Sequence, residues 1–222
     1  MDARQTPLYR QHVQLGARMV PFAGFSMPIQ YAGIRQEHEA VRRRAGLFDV
    51  SHMGNFFVRG SGALSYLQNL TTNNVAKLQP GDVQYSALCL PTGGVIDDIL
   101  VYALEPESYM VVVNASNIEK DWNWIQSHNH DHVEMHNISD KTGLLAIQGP
   151  NATKILQPLT EMDILNLKYY TFVKGTFAGI DNVLISATGY TGAGGVEIYF
   201  EDINDNATHI WNAIFEIGRA HV

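Results

Sequence analysis

Two segments rich in β-forming residues, 83–90 and 95–104, lie on either side of the tetrapeptide Pro91-Thr92-Gly93-Gly94. A proline followed by paired glycines favours a tight turn, so the two segments are predicted to form a β-hairpin. Further strands are predicted at 54–59, 109–114, 183–187 and 196–200. Because these strands do not alternate one for one with helical segments, a doubly wound parallel sheet is disfavoured and an α+β fold is predicted.

Helices are predicted from helix-forming residues, apolar spacing and terminal residues. They cover 34–45, 61–70, 116–126 and 206–217. Gly46 and Gly218 each follow a helical stretch, at the position where glycine commonly ends a helix. Ser116 and Glu119 have the Ser-x-x-Glu spacing of a capping box, which is expected to open the third helix.

Size and composition limit the class of protein. The 222 residues are enough for one large domain or two small interleaved ones, and 45% hydrophobic residues exclude disorder as the main state. A net charge of −7 provides no field to hold a phosphate backbone, so nucleic acid is not a predicted partner. No stretch approaches 18 consecutive apolar residues, and the N-terminus lacks an apolar targeting segment, so a protein that is neither membrane-bound nor exported is predicted.

Two adjacent carboxylates, Asp97 and Asp98, lie in the second strand of the predicted hairpin. Side chains alternate across a strand, so these acids point to opposite faces, and whichever face is covered brings one carboxylate into apolar surroundings. Two interpretations remain open from the residues alone. One acid caps backbone donors after the turn, or one has a chemical role. Opposite faces argue against a proton shared between these two acids.

A glycine-rich stretch, 188–195, precedes the last predicted strand and contains no phosphate-loop motif. Its glycines are suited to a close approach of the backbone to a ligand, with Glu197 projecting from the strand opposite Ile198. The alternative is a plain hairpin turn that carries an exposed glutamate.

Three other features receive structural interpretations. No metal site is predicted, and the histidines near one another in sequence are expected in a solvated loop; they are His128, His130, His132 and His136. The basic run 42–44 is expected on a solvated helix face, with docking of an acidic partner as the alternative. Cys89 cannot form an internal disulfide and is expected to be an inert buried thiol in a reducing compartment.

Ordered motifs along nearly the whole chain resemble the T protein of the glycine cleavage system, a tetrahydrofolate-dependent aminomethyltransferase. The matching motifs are Thr6-Pro7-Leu8-Tyr9, Phe22-Ala23-Gly24-Phe25, Met27-Pro28, Gly46-Leu47-Phe48-Asp49-Val50-Ser51-His52-Met53-Gly54, Gly93-Gly94-Val95-Ile96-Asp97-Asp98, Val113-Asn114-Ala115-Ser116-Asn117, Gln148-Gly149-Pro150 and Gly189-Tyr190-Thr191-Gly192. The resemblance implies an α+β folate-binding core with mixed or antiparallel sheets and flanking helices. It further implies two interleaved lobes, about 1–52 with 140–222 and 53–139.

The same resemblance implies a function and its partners. An enzyme of this family takes the aminomethyl group from the lipoyl arm of the H protein, releases ammonia and converts tetrahydrofolate to 5,10-methylenetetrahydrofolate. A cytoplasmic location is expected, or the mitochondrial matrix if the source is eukaryotic. The alternatives are another folate-dependent member of the superfamily, such as a demethylase, and a non-catalytic folate-binding protein.

Site residues follow from the matching positions. Asp98 falls on the family's catalytic aspartate, and Glu197 falls on its pterin-binding acid, which can accept the two-donor edge of a pterin. Residues that match other ligand-lining positions are Tyr85, Tyr102, Tyr170, Tyr190, Asn114, Met53 and Phe57. The rings of the four tyrosines are expected to cover the flat pterin and benzoyl groups.

The chain departs from the family pattern at several positions. Ala193 stands where an acid is usual, and Ala187 stands where an arginine is common. The 222 residues match roughly the N-terminal three-fifths of a T protein, without its C-terminal lobe. Since that lobe would complete the wall of a folate channel, weak or absent catalysis is expected of this chain.

Overall fold

The structure is a computed structural model that describes residues 3–130 and 133–220, with side chains up to residue 218. The strands are β1 (Arg4–Gln5), β2 (Arg18–Phe22), β3 (Phe25–Gln30), β4 (Gly46–Asp49), β5 (Gly54–Arg59), β6 (Val83–Cys89), β7 (Val95–Glu105), β8 (Ser108–Val113), β9 (Glu134–Asn137), β10 (Thr142–Gln148), β11 (Phe172–Phe177), β12 (Ile180–Ser186) and β13 (Gly195–Glu201). The helices are α1 (Tyr9–Gln14), α2 (Ile34–Arg43), α3 (Ala63–Leu70), α4 (Ile118–Ser127), α5 (Ala152–Leu156) and α6 (Asn206–Ala220).

The chain divides into two compact units. One, called here the split unit, combines Met1–His52 with Lys141–Val222, and the other, the inserted unit, is Met53–Asp140. No helix in the described parts of the chain is long and apolar enough to cross a membrane.

The split unit contains a five-stranded antiparallel sheet in the order β11-β12-β13-β10-β4. Its core cluster joins sheet residues such as Ile147 and Ile198 to Leu156 of α5 and Ile210 of α6. A smaller sheet has the order β1-β3-β2, in which β1 and β3 run parallel and β2 and β3 antiparallel. The sheets are therefore mixed and antiparallel with helices beside them, which confirms the predicted α+β fold.

The inserted unit contains a second five-stranded antiparallel sheet, in the order β6-β7-β8-β5-β9. Its core cluster includes Phe56 and Val101 of the sheet, Leu67 of α3 and Ile125 of α4. The predicted hairpin is present as β6 and β7, with partners running from Val83↔Tyr102 to Cys89↔Val95. One face of this sheet therefore packs against α3 and α4.

Three predicted helix ends are wrong. Helix α2 ends at Arg43, and Gly46 begins β4 with an ordinary backbone conformation, so it does not cap the helix. Helix α4 begins at Ile118 after a 3₁₀ turn, and its N-cap makes no side-chain capping hydrogen bond, so the Ser116 capping box does not form. Helix α6 continues through Gly218 to Ala220.

Gly46 is required by packing and not by backbone conformation. A methyl group added there would lie 2.5 Å from Val41 Cγ2 and 3.2 Å from Phe48 Cε2. We therefore expect Gly46→Ala to lower the free energy of unfolding by about 1–3 kcal/mol, the usual effect of overpacking. Urea denaturation measures this loss, with Gly94→Ala as the control because an added methyl there meets only Leu90 Cδ1 at 3.5 Å. Equal stabilities of the two variants would contradict the prediction.

Candidate functional site

Strand β7 separates its two adjacent acids. Asp97 is 5% exposed and lies with Ile99 and Val101 on the face that packs against α3 and α4, whereas Asp98 is exposed on the opposite face. This is the arrangement expected from strand alternation. The acid that enters the apolar side is therefore Asp97, and the acid left accessible to a ligand is Asp98.

Asp97 is surrounded by hydrogen-bond donors. Its Oδ2 accepts from the backbone N–H of Asn114 at 3.0 Å, and its Oδ1 accepts from Asn114 Nδ2 at 3.0 Å and from Asn117 Nδ2 at 2.7 Å. Burial alone would raise the pKa of Asp97, but the hydrogen bonds from Asp121, Asn114 and Asn117 hold it below its usual value. The interpretation in which an acid caps backbone donors therefore applies to Asp97.

Asp98 is held at the surface by two polar side chains. Tyr85 Oη donates to Asp98 Oδ2 at 3.2 Å, and Asn114 Nδ2 donates to Asp98 Oδ1 at 3.2 Å. The negative charge of Asp98 raises the pKa of Tyr85, with smaller contributions from burial and from Asp97. Asn114 thus contacts both acids, and because both are acceptors, its side-chain nitrogen must face them.

Of the other predicted residues of the inserted unit, Tyr102 and Phe57 lie on the same side of its sheet as Asp98, whereas Met53 and Asn114 lie just outside the strands. Phe57 pairs with Met110, which pairs in turn with Tyr102, so these three form one row across the sheet. Tyr102 is fully buried and Phe57 is half-buried. Met53 directly precedes β5 and Asn114 directly follows β8, at the same end of these paired strands.

The split unit holds the second predicted acid, Glu197, on β13. Glu197 is only 9% exposed, so the interpretation as an exposed hairpin glutamate is wrong. Its Oε2 accepts hydrogen bonds from Thr188 Oγ1 and, at 3.4 Å, from Tyr199 Oη. Burial raises the pKa of Glu197, and the two hydrogen bonds oppose this effect. No donor among the described residues bonds Oε1, which leaves that oxygen available to a ligand.

The glycine-rich loop beside Glu197 is fixed by neighbouring polar groups. Gln148 Nε2 donates to the carbonyl oxygens of Thr188 and Val196 at 3.2 Å, and its Oε1 accepts from Thr191 Oγ1 at 2.8 Å. Arg42 Nη1 donates to the carbonyl of Thr191 at 2.9 Å. The basic run is thus not wholly a solvated surface, because Arg42 helps to anchor this loop.

The two tyrosines predicted in the split unit differ in accessibility. Tyr190 lies in the loop and is 94% exposed. Tyr170 is half-buried, has a positive φ of 61° and donates its backbone N–H to the carbonyl of Ala187 at 3.0 Å. Tyr170 therefore adjoins Thr188, the residue that hydrogen-bonds Glu197.

Two structural expectations need correction. Cys89 is half-buried at the end of β6 and not enclosed in the core. His136 belongs to β9 and contacts Glu134 at 2.7 Å, so it does not lie in a loop. His132 lies outside the described residues, and residues 3–130 and 133–220 contain no group of three or more acidic, histidine or cysteine side chains placed to hold a metal ion.

Sequence reasoning from the residues missed most partners of the two acids. Asn117 and Gln148 belong to matching motifs but carry no predicted role, and Asp121 belongs to none of those motifs. Asn117 and Asp121 are four residues apart and therefore share one side of the chain where it enters α4. That spacing places the two residues on one side of the chain but does not mark either of them as buried.

Comparison with known proteins identifies the family. The GCVT N-terminal domain family model matches residues 8–222. Aminomethyltransferases of Flavobacterium psychrophilum and Bacteroides thetaiotaomicron are each 54% identical to the chain over 97% of its length. The crystal structure of glycine cleavage system aminomethyltransferase T from Bartonella henselae matches 96% of the chain and 57% of its own, with 29% identity and a TM-score of 0.88.

A more distant structure shares the fold alone. Heterotetrameric sarcosine oxidase from Corynebacterium matches 98% of the chain and 95% of its own chain at 13% identity and a TM-score of 0.66. The chain spans 59% of the length of the two curated relatives. The family match and the Bartonella structure confirm the resemblance seen in the motifs. The chain therefore belongs to the GCVT N-terminal domain family, the family of the T protein of glycine cleavage.

Proposed function

We propose that the chain carries out tetrahydrofolate-dependent aminomethyl transfer in glycine cleavage, at the low rate expected from its sequence. The donor is the aminomethyl group on the lipoyl arm of the H protein, and the products are ammonia, the reduced lipoyl dithiol and 5,10-methylenetetrahydrofolate. A cytoplasmic location is part of this proposal. The observation that carries it is the exposed carboxylate of Asp98, fixed by Tyr85 and Asn114 in a chain of this family.

The transfer forms two carbon–nitrogen bonds and breaks two bonds at the same carbon. Folate N5 and N10 each bond the methylene carbon and each lose a proton, while the carbon–sulfur and carbon–nitrogen bonds of the donor break. The two protons end on the departing thiolate and amine. Positive charge develops at the methylene carbon and its nitrogen during these steps, and an ionised carboxylate next to them lowers the barrier.

Asp98 has the chemistry for this role. It is exposed, and its two oxygens receive one hydrogen bond each, from Tyr85 and Asn114. Two neutral donors orient the carboxylate without neutralising it, so its charge remains available to a cationic intermediate. In this proposal Asp98 orients the folate amine and assists proton transfer.

Glu197 is proposed to bind the pterin. The pyrimidine ring of the pterin presents an N–H and an exocyclic NH₂ as two parallel donors, and a carboxylate can accept both hydrogen bonds as a pair. Oε1 accepts no hydrogen bond from the described residues and remains for one pterin donor, whereas Oε2 already accepts from Thr188 and Tyr199, so the second pterin donor takes the place of the longer 3.4 Å contact from Tyr199. The tyrosines Tyr85, Tyr102, Tyr170 and Tyr190, with Met53, Phe57 and Asn114, are proposed as further ligand contacts.

The test is a single-turnover assay with the chain in excess over aminomethylated H protein, so that even slow transfer is measured. We expect ammonia release to require both tetrahydrofolate and the H protein, and labelled methylene carbon to appear in the folate product. Controls without folate and with non-lipoylated H protein set the background. Release that is unaffected by folate, or a folate-dependent reaction of a free methylamine without H protein, would contradict the proposal.

A further inference from the structure

Helix α4 carries a carboxyl group that the structure leaves without a donor. Asp121 is fully buried, and neither of its oxygens accepts a hydrogen bond from any described residue. The neighbouring acid that acts on it is Asp97 on β7, which can accept a hydrogen bond from Asp121 only if Asp121 is protonated. Two ionised carboxylates cannot form such a bond because neither has a proton to donate.

The surroundings decide which of the two acids holds the proton. Asp97 already accepts three hydrogen bonds from Asn114 and Asn117, a set that stabilises its ionised form. Among the described residues, none donates a hydrogen bond to Asp121. Burial, followed by the hydrogen bond and the charge of Asp97, raises the pKa of Asp121 to about 8, and Lys120 acts in the opposite direction. The neutral acid is therefore Asp121, and Asp97 and Lys120 are the charged groups that act on it.

A continuous series of contacts leads from Asp121 to the proposed catalytic acid. Asp121 acts on Asp97, Asp97 accepts from both the backbone and the side chain of Asn114, and Asn114 Nδ2 donates to Asp98. All of these residues lie in the inserted unit. If Asp121 became ionised, two buried carboxylates would repel each other at the position that orients Asn114.

We propose that Asp121 is a positioning residue: it stays a neutral carboxylic acid, donates a hydrogen bond to Asp97 and so holds Asn114 against Asp98. This inference rests on the proposed role of Asp98 for its functional meaning. The shared proton and the orientation of Asn114 can be tested without folate or H protein, so they are separable from the proposed function.

The first test follows aspartate side-chain ¹³C resonances of the 222-residue chain as a function of pH. We expect one aspartate carboxyl to titrate near pH 8 and the Asn114 side-chain amide resonances to shift with the same midpoint. Both changes should be absent in Asp121→Asn and present in Glu119→Gln, a control that alters an exposed acid of the same helix. The inference is overturned if every aspartate titrates in the ordinary acidic range, or if the Asn114 amide does not follow the alkaline titration.

A second test uses the pH dependence of stability. An unfolded aspartate titrates near pH 4, so between about pH 4 and pH 8 the folded chain holds one proton more than the unfolded chain. The contribution of Asp121 to the free energy of unfolding should therefore decrease as the pH rises through this window. Urea denaturation at several pH values should show this decline in the unsubstituted chain and in Glu119→Gln, but not in Asp121→Asn. Parallel profiles in all three would overturn the inference.

The third test connects the pair to turnover. Asp121→Asn can still donate to Asp97 but cannot ionise, so we expect its single-turnover rate to stay within about 3-fold of the unsubstituted rate and to lose the decline above pH 8. Asp121→Ala cannot donate, and its rate should fall about 10-fold with unchanged folate affinity. Equal rates and equal pH profiles in all three chains would overturn the positioning role. Absence of folate-dependent turnover in every chain would contradict the proposed function instead, and the resonance titration would still decide the inference.

Discussion

Asp98→Asn is expected to transfer the aminomethyl group about 10²–10³-fold more slowly than the unsubstituted chain, the range typical for loss of one electrostatic or acid–base group. Asparagine has nearly the same shape and can still bond Tyr85 and Asn114, but it carries no charge to stabilise a cationic methylene. Folate binding, measured by calorimetry with 5-formyltetrahydrofolate, should change little, because the proposed anchor is Glu197. The rate is measured as single-turnover ammonia release from aminomethylated H protein.

A matched control separates this effect from a general change of charge. Glu105→Gln removes an exposed acid from the far end of the same strand, and its rate should equal that of the unsubstituted chain. Loss of the Asp98 charge should also lower the pKa of Tyr85, which a phenol difference titration against Tyr85→Phe detects. An unchanged transfer rate in Asp98→Asn, with the Tyr85 pKa lowered as expected, would remove Asp98 from the mechanism.

The element types were predictable from the sequence because local patterns determined them. The hairpin 83–104 combines two β-rich segments with a proline–glycine turn, and it appears as β6 and β7. Helix ends were less predictable because tertiary contacts override terminal preferences. Asn117 directs its amide to Asp97 instead of a helix terminus, and Gly46 is needed for the close approach of Val41.

The different environments of Asp97 and Asp98 were likewise only partly predictable from the sequence. Alternation established that Asp97 and Asp98 face opposite sides, but the residues alone did not show which side is covered. That choice depends on where α3 and α4 pack, which is a long-range property of the fold. The family resemblance selected Asp98, and the structure places Asp97 in the covered position. Whether Asp98 is catalytic stays a prediction for the assay.

The burial of Asp121 beside Asp97 could not be predicted from local sequence patterns, for a related reason. An acid on an amphipathic helix normally faces solvent, and nothing next to Asp121 in sequence marks it as buried. Only the packing of α4 brings it to Asp97. Its neutral form is a consequence of burial combined with a donor-rich neighbour, and neither condition is local in sequence.

Glu197→Gln is expected to weaken binding of 5-formyltetrahydrofolate about 10²-fold, since a paired charge-assisted hydrogen bond contributes roughly 3 kcal/mol. Glutamine presents an NH₂ group to a ligand edge that consists of two donors, so at least one hydrogen bond becomes a donor–donor repulsion. Calorimetric titration measures the loss. Glu201→Gln changes an exposed acid of the same strand and should bind as the unsubstituted chain does.

The pH dependence of binding provides an independent check on the same carboxylate. Burial raises the pKa of Glu197, so its anionic form is lost at a higher pH than that of an exposed glutamate. If the pterin edge requires that anion, affinity should fall on acidification already above the usual glutamate range, and the decline should be absent in Glu197→Gln. The substitution removes a buried charge, so the variant should unfold at no lower urea concentration than the unsubstituted chain. A well-folded Glu197→Gln chain with undiminished affinity would mean that another residue anchors the folate.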